Sequence, residues 1–155
     1  MIRSVLQLGG RVIWWCTLPV LWLILNNTER TRLVLKDGQG QVLLVRTWLS
    51  ADGKWGLPGG GMHRDEDETQ GVLREVKEEV GIVLQPEDVR NLGTRNVKTK
   101  GLHFRTHLFM ATVVDDPSLR LQWYEIADAQ WIKLSMLSPD KVQQEVLEVA
   151  ELLGR

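Results

Sequence analysis

Residues Leu57–Ile82 read LPGGGMHRDEDETQGVLREVKEEVGI. From Asp67 to Val80 the apolar positions have helical periodicity, and Gly81 is a C-terminal stop signal. On a wheel of about 100° per residue, Val72, Leu73, Val76 and Val80 share one arc. Glu75, Glu78 and Glu79 share a second arc, with Arg74 and Lys77 between the two. One side of this helix is therefore core and another is a carboxylate cluster. Such a cluster is unfavourable in isolation. Glu75 and Glu79 repel at i,i+4, and the glutamates lie toward the negative end of the helix macrodipole. A hard divalent cation reverses both penalties, because Mg²⁺ prefers carboxylate oxygens, water and phosphate in an octahedral shell. Three glutamates alone read more readily as a solvated acidic face. The glycines just before the helix change the balance. Gly59, Gly60 and Gly61 let the backbone approach a ligand closely, so that a carbonyl meets a metal or an N–H meets a phosphate.

Taken together, Gly60, Glu66, Arg74, Glu75, Val76, Glu78, Glu79, Gly81 and Ile82 resemble the Nudix box, G-x5-E-x7-R-E-U-x-E-E-x-G-U with U aliphatic. Every defined position matches, and chance agreement in a chain this long is on the order of 10⁻⁷ from average residue usage. Trp55 before the glycines, and Glu125-Ile126 followed by Trp131, strengthen the likeness, which extends over residues 31–153. The resemblance implies a Nudix-type α/β/α sandwich with a mixed β-sheet. It implies Mg²⁺ or Mn²⁺ held by Glu75, Glu78 and Glu79 with the Gly59 carbonyl. It further implies that Arg74 orients the glutamates and that Glu66 and Gly60 support the loop–helix geometry. Glu78, or Glu75 after it, is the candidate proton acceptor for a water attacking a P–O–P linkage. Gly71 and Val72 stand where the family often has paired alanines, a departure that removes no metal ligand.

The resemblance also bears on the substrate. Markers of the ADP-ribose, dinucleoside polyphosphate, coenzyme A and NADH subclasses are missing after the box. Their absence makes a nucleoside triphosphate or a nucleotide sugar the substrate expected from the resemblance. The alternative is a non-catalytic nucleotide-binding or regulatory Nudix domain tethered by its N-terminus, and the intact glutamates favour the enzyme.

The rest of the chain reads outward from this segment. Thr31–Lys36 and Gln41–Thr47 are β-rich runs, separated by the hairpin signal Asp37-Gly38-Gln39-Gly40. Leu92–Val97 and His103–Val114 read as strands. In the second, Phe104, Thr106, Leu108 and Met110 share one face while His103, Arg105, His107 and Phe109 share the other. Trp123–Ile126 and Gln130–Leu134 read as short extended pieces. A final helix is expected from Ser138 as N-cap, with Pro139 at its first position, to Leu153. Its stripe is Val142, Val146, Val149 and Leu153.

No acidic residue lies between Val89 and Val114, a stretch holding Arg90, Arg95, Lys98, Lys100 and Arg105 with His103 and His107. This segment suits phosphate charge, or else forms a solvated hairpin with lysines protecting its edge. Arg46 and Arg105 are the candidate phosphate or base contacts, and Trp48 a candidate stacking residue.

The chain has 155 residues, 43% hydrophobic and 25% charged, which fits one globular domain with a substantial core. A net charge of −1 gives no reason to expect a nucleic-acid polymer as partner. The lone cysteine, Cys16, excludes an intramolecular disulfide. Residues 1–28 form a separate N-terminal unit before a hydrolase domain at 29–155. Val12–Leu25, VIWWCTLPVLWLIL, is uncharged but short for a membrane span and interrupted by Pro19. No small-residue cleavage site follows it, which argues against a signal peptide. As a spanning anchor, Arg3 and Arg11 would hold the N-terminus inside and put the glutamates outside. The favoured expectation is a hydrophobic helix that lies on a membrane surface, packs on the domain or pairs with a second copy, in a cytoplasmic protein.

Overall fold

In the computed structural model, the described residues are 28–48, 50, 53–99, 102–114 and 117–154. The expected N-terminal hydrophobic helix lies outside them. Among the described residues no helix is long and apolar enough to cross a membrane.

Five strands form one mixed sheet: β1 (Thr28–Lys36), β2 (Val42–Thr47), β3 (Arg90–Thr99), β4 (Leu102–Thr112) and β5 (Ile126–Ile132). The spatial order is β3-β4-β1-β2-β5. β1 and β4 run parallel, with Thr31 opposite His107 and Leu33 opposite Phe109. The other pairings are antiparallel. Helix α1 (Glu68–Val80) covers one face and helix α2 (Gln144–Leu152) the other. The strands alternate as their period of two requires. Leu33, Leu35, Leu43, Val45 and Phe109 pack with Val72, Val76 and Val80 of α1. Val34, Val42, Leu44 and Leu108 pack with Val146 and Val149 of α2. The three α1 valines are fully buried, each contributing about 1.5–3 kcal/mol.

The β1–β2 hairpin closes on Asp37, whose side chain accepts the backbone N–H groups of Gln39 and Gln41 at 2.9 and 2.7 Å. Beyond the single pair Lys36–Val42 the two strands separate. Residues 55–61 fill the gap. Val45 and Gly56 exchange two backbone hydrogen bonds at 2.9 Å. On the other side, Thr31 N–H donates to the Gly60 carbonyl and Leu33 N–H to the Pro58 carbonyl, both at 2.9 Å. The glycine segment is thus a wedge between two strands of the sheet, satisfying backbone groups that would otherwise be buried without partners.

Two expected elements are corrected. Trp123–Glu125 is a turn rather than an extended piece, because Glu125 N–H and Ile126 N–H both donate to the Gln122 carbonyl, at 2.9 and 2.8 Å. The final helix does not start at Ser138. A single 3₁₀ turn occupies Pro139–Lys141, Ser138 makes no side-chain cap, and α2 begins only at Gln144. The interruption comes from Trp55, which donates its N–H to the Lys141 carbonyl and accepts from Gln143 N–H, at 2.9 and 2.8 Å. Val142 is held extended by that bridge and still reaches the core predicted for it.

Candidate active site

Helix α1 is held at both ends by local chemistry. Asp67 caps it reciprocally with Gln70, and Gly81 ends it in the left-handed region at φ 77°. With its valines locked into the core, its glutamates have fixed positions. They do not share one environment. Glu79 is buried, Glu75 is half-buried and Glu78 is exposed.

Glu79 points under the glycine wedge, where its Oε2 accepts the Gly59 N–H at 2.7 Å. Burial pushes its carboxyl up to about 8, against the opposing pull of that N–H and of Arg32. Glu75 lies against Gly60, so a Cβ there would collide with its carboxylate. Burial raises its carboxyl as well, opposed by Arg74. Gly59 adopts φ 129°, and a Cβ would drive into the Thr31 carbonyl.

Arg74 ties the loop to the helix. Its Nε and Nη2 grip both oxygens of Glu66 at 2.7 and 3.0 Å. Nη1 reaches Glu75 at 2.8 Å and Glu78 at 3.2 Å, and Nη2 reaches the Gly61 carbonyl at 2.9 Å. A planar five-donor fork is the side chain suited to this array. The Arg74 hydrogen bonds hold the Glu66 carboxyl down to about 2. Glu66 also accepts the His63 N–H at 3.0 Å, closing the loop before the helix.

Sequence reasoning missed the cations that approach the wedge from the opposite sheet face. Arg32 on β1 donates to the Gly59 carbonyl and, at 3.1 Å, to Glu145 of α2. Arg30 stacks on Phe104, its guanidinium carbon 3.8 Å from the ring centroid, and feels the charge of Glu75. Burial lowers Arg30 from the usual arginine value. Their alternation with Thr31 and Leu33 was the available signal. Glu125, just before β5, also bears on the site, because its charge acts on both Glu75 and Glu79.

The other candidates stand apart from this cluster. Arg46 pairs with Asp128 at 3.3 Å and lies 5.1 Å from the Trp55 ring centroid. Arg105 pairs with Glu29 at 2.8 Å, and Arg95 with Glu148 at 3.0 Å. His107 is buried, its Nδ1 3.0 Å from both Glu68 and Thr94. Of the basic side chains between Val89 and Val114, Arg95, Arg105 and His107 therefore already lie against carboxylates. Trp48 is exposed, its Nε1 donating to the Trp123 carbonyl at 2.9 Å.

The donor set suits a hard divalent cation: carboxylate oxygens from Glu75, Glu78 and Glu79 beside a backbone carbonyl, around glycines that admit no side chain. Burial disfavours the anions of Glu75 and Glu79, and a cation offsets that cost. Guanidinium groups already meet several of these oxygens, and among the described residues no three acidic, histidine or cysteine side chains are gathered closely enough to hold an ion as they stand.

Comparison with known proteins agrees with this geometry. Residues 27–153 match the model of the NUDIX domain. The chain is 35% identical over 104 residues to an RNA pyrophosphohydrolase of Hydrogenovibrio crunogenus, a match covering 64% of this chain and 55% of that protein. It thus spans about half the length of that curated relative. Among solved structures it is similar to the MutT NUDIX hydrolase from Burkholderia pseudomallei, with a TM-score of 0.71 and 22% identity over 81% of this chain and 97% of that one. The MutT protein from Methanosarcina mazei aligns with a TM-score of 0.68 and 24% identity, covering 84% of this chain and 96% of that one. The NUDIX domain of Shewanella oneidensis NrtR, solved with ADP ribose, aligns with a TM-score of 0.69 and 24% identity, covering 82% and 86%. The structural likenesses establish the fold, and the family model spans most of the residues: the chain belongs to the NUDIX domain family.

Proposed function

We propose that this protein is a divalent-metal-dependent hydrolase that splits a diphosphate linkage in a nucleoside 5′-polyphosphate or related nucleotide. The observation that carries the reading is the buried Glu79 carboxylate under the Gly59–Gly60 wedge, with Glu75 and Glu78 on the same helix face.

Glu75, Glu78, Glu79 and the Gly59 carbonyl would hold Mg²⁺ or Mn²⁺. When bound, the cation withdraws charge from phosphate oxygens and makes water a better nucleophile. Arg74 positions Glu75 and Glu78, and Glu66 holds Arg74. Taking up the ion requires the Arg74 and Arg32 contacts to these oxygens to turn aside. Glu78 is the most accessible of the three glutamates and is the proposed proton acceptor, with Glu75 second. Arg30 and Arg32 supply positive charge beside the wedge for the phosphate chain. Arg46 and Arg105 serve a substrate only if phosphate displaces Asp128 and Glu29 from them.

The name of the 35% identical relative favours a second reading of the substrate, the polyphosphorylated 5′ end of an RNA. A panel of nucleoside triphosphates, nucleotide sugars, dinucleoside polyphosphates and a 5′-triphosphorylated oligonucleotide, with Mg²⁺ or Mn²⁺, tests both readings. Turnover of at least one compound is expected, with Glu78→Gln slower by about 10²-fold or more. No turnover of any compound, or an unchanged rate in the variant, overturns the hydrolase assignment.

A further inference from the structure

Among the described residues the exposed aromatic side chains are Trp48, Trp123 and Tyr124, and they lie together. Trp123 is 79% exposed and Trp48 65%. Large aromatic rings left in water at one place mark a binding surface more often than an accident of packing. This group is also built. The Trp48 indole N–H donates to the Trp123 carbonyl at 2.9 Å, fixing one turn against the other. Trp123 and Tyr124 have ring centroids 5.7 Å apart and planes at 90°. Gln122 hydrogen-bonds to the Tyr124 hydroxyl. The register shifts between Arg46 and Thr47, just before Trp48, where Ala127 of β5 is the extra residue.

Continuity with the glutamate site identifies the occupant. Trp48 N–H donates to the Glu125 carbonyl at 3.0 Å, and Gln122 N–H to the Glu79 carbonyl at 3.0 Å. The aromatic turn is thus joined by backbone hydrogen bonds to Glu79 itself and to the residue whose charge reaches Glu75 and Glu79. A nucleotide with its phosphates at those glutamates carries a planar base, the group of such a ligand that an aromatic turn beside the site suits. A heterocycle stacked on one of the perpendicular rings presents its edge to the other. We infer that Trp48, Trp123 and Tyr124 form a stacking platform for an unpaired nucleobase of the substrate. The inference rests on the nucleotide reading above. Stacking tolerates any base, so the platform selects for the presence of a base rather than its identity.

Binding without metal separates this inference from the hydrolase reading. Wild-type protein, Trp123→Ala and Trp123→Phe are titrated in EDTA with adenosine 5′-triphosphate and with inorganic tripolyphosphate, following tryptophan emission and heat. The nucleotide is expected to quench wild-type emission. Its Kd should rise about ten-fold or more in Trp123→Ala and return near wild type in Trp123→Phe, while the Kd of tripolyphosphate stays the same in all three. Equal affinity of the wild type for both ligands, or equal losses for both in Trp123→Ala, overturns the platform. A change of sedimentation coefficient in Trp123→Ala also overturns it and makes the patch a contact between copies. A protein that binds the nucleotide selectively yet hydrolyses nothing keeps the platform and loses the hydrolase reading. One that hydrolyses without regard to the base does the reverse.

Discussion

The two helices that flank the sheet are held in opposite ways. α1 starts on Asp67, whose side chain accepts the Gln70 N–H at 2.8 Å, and stops on Gly81. α2 starts on Gln143 with no side-chain cap. Distant partners place it instead: the Trp55 backbone sets its start, and Glu145 and Glu148 reach across to Arg32 and Arg95 on the sheet. The helix carrying the candidate chemistry is therefore specified by its neighbours in sequence, and the covering helix by its neighbours in space. A site that must align several carboxylates gains from the first arrangement, because local caps fix where the helix starts and stops while its fully buried valines fix its rotation against the sheet.

The largest expected effect tests whether the wedge anchors the α1 side. Gly59→Ala forces a side chain into a left-handed backbone and against the Thr31 carbonyl. It should cost about 3 kcal/mol or more in a urea titration and abolish turnover. A loss below about 1 kcal/mol would show that the wedge yields easily. Arg74→Lys comes next. It keeps the charge but loses the fork that joins Glu66, Glu75, Glu78 and Gly61. Stability should fall by about 1–3 kcal/mol, with turnover falling more steeply than in Arg95→Lys on the α2 side. Equal effects of the two would erase the contrast between the faces.

A pH titration sharpens the same contrast. The Glu66 carboxyl is depressed to about 2 in the folded chain, from about 4.5. Its stabilisation is fully present above 4.5 and is lost as pH falls through 2. The advantage of the wild type over Glu66→Gln in urea midpoint should thus be constant above pH 5 and shrink steadily below 4.5. A difference independent of pH would mean that the contact acts through shape alone. The smallest effect concerns α2. Gln143→Ser supplies the missing cap and should raise stability by about 0.5–1 kcal/mol, whereas Asp67→Ser should change little because it only exchanges one capping group for another.

This asymmetry also explains what was legible in the sequence. The extent of α1, its apolar stripe and its stop were readable because the signals lie within one turn of the residues they govern. The alternation of β4 was readable for the same reason, its faces falling to the two cores as the period of two requires. The start of α2 was not. Ser138-Pro139 is a sound local signal, and it lost to a backbone bridge with Trp55 more than eighty residues earlier. Arg30 and Arg32 were passed over because strand register, not spacing along the chain, brings them to the wedge. Grouping Glu75, Glu78 and Glu79 on one arc was sound, but a helical wheel contains no loop and could not show that Glu79 would be roofed by Gly59.

The glycine segment between β1 and β2 bears on how such a molecule can change over generations. Because its backbone is registered to both strands, at Gly56 on one side and at Pro58 and Gly60 on the other, adding or deleting one residue there would break the match with at least one strand. Its length is therefore set by register on both sides. Changes of length fit instead in the turns at the strand ends, such as the one carrying Trp48 after β2 and the one carrying Trp123 before β5, outside the hydrogen-bonded centre.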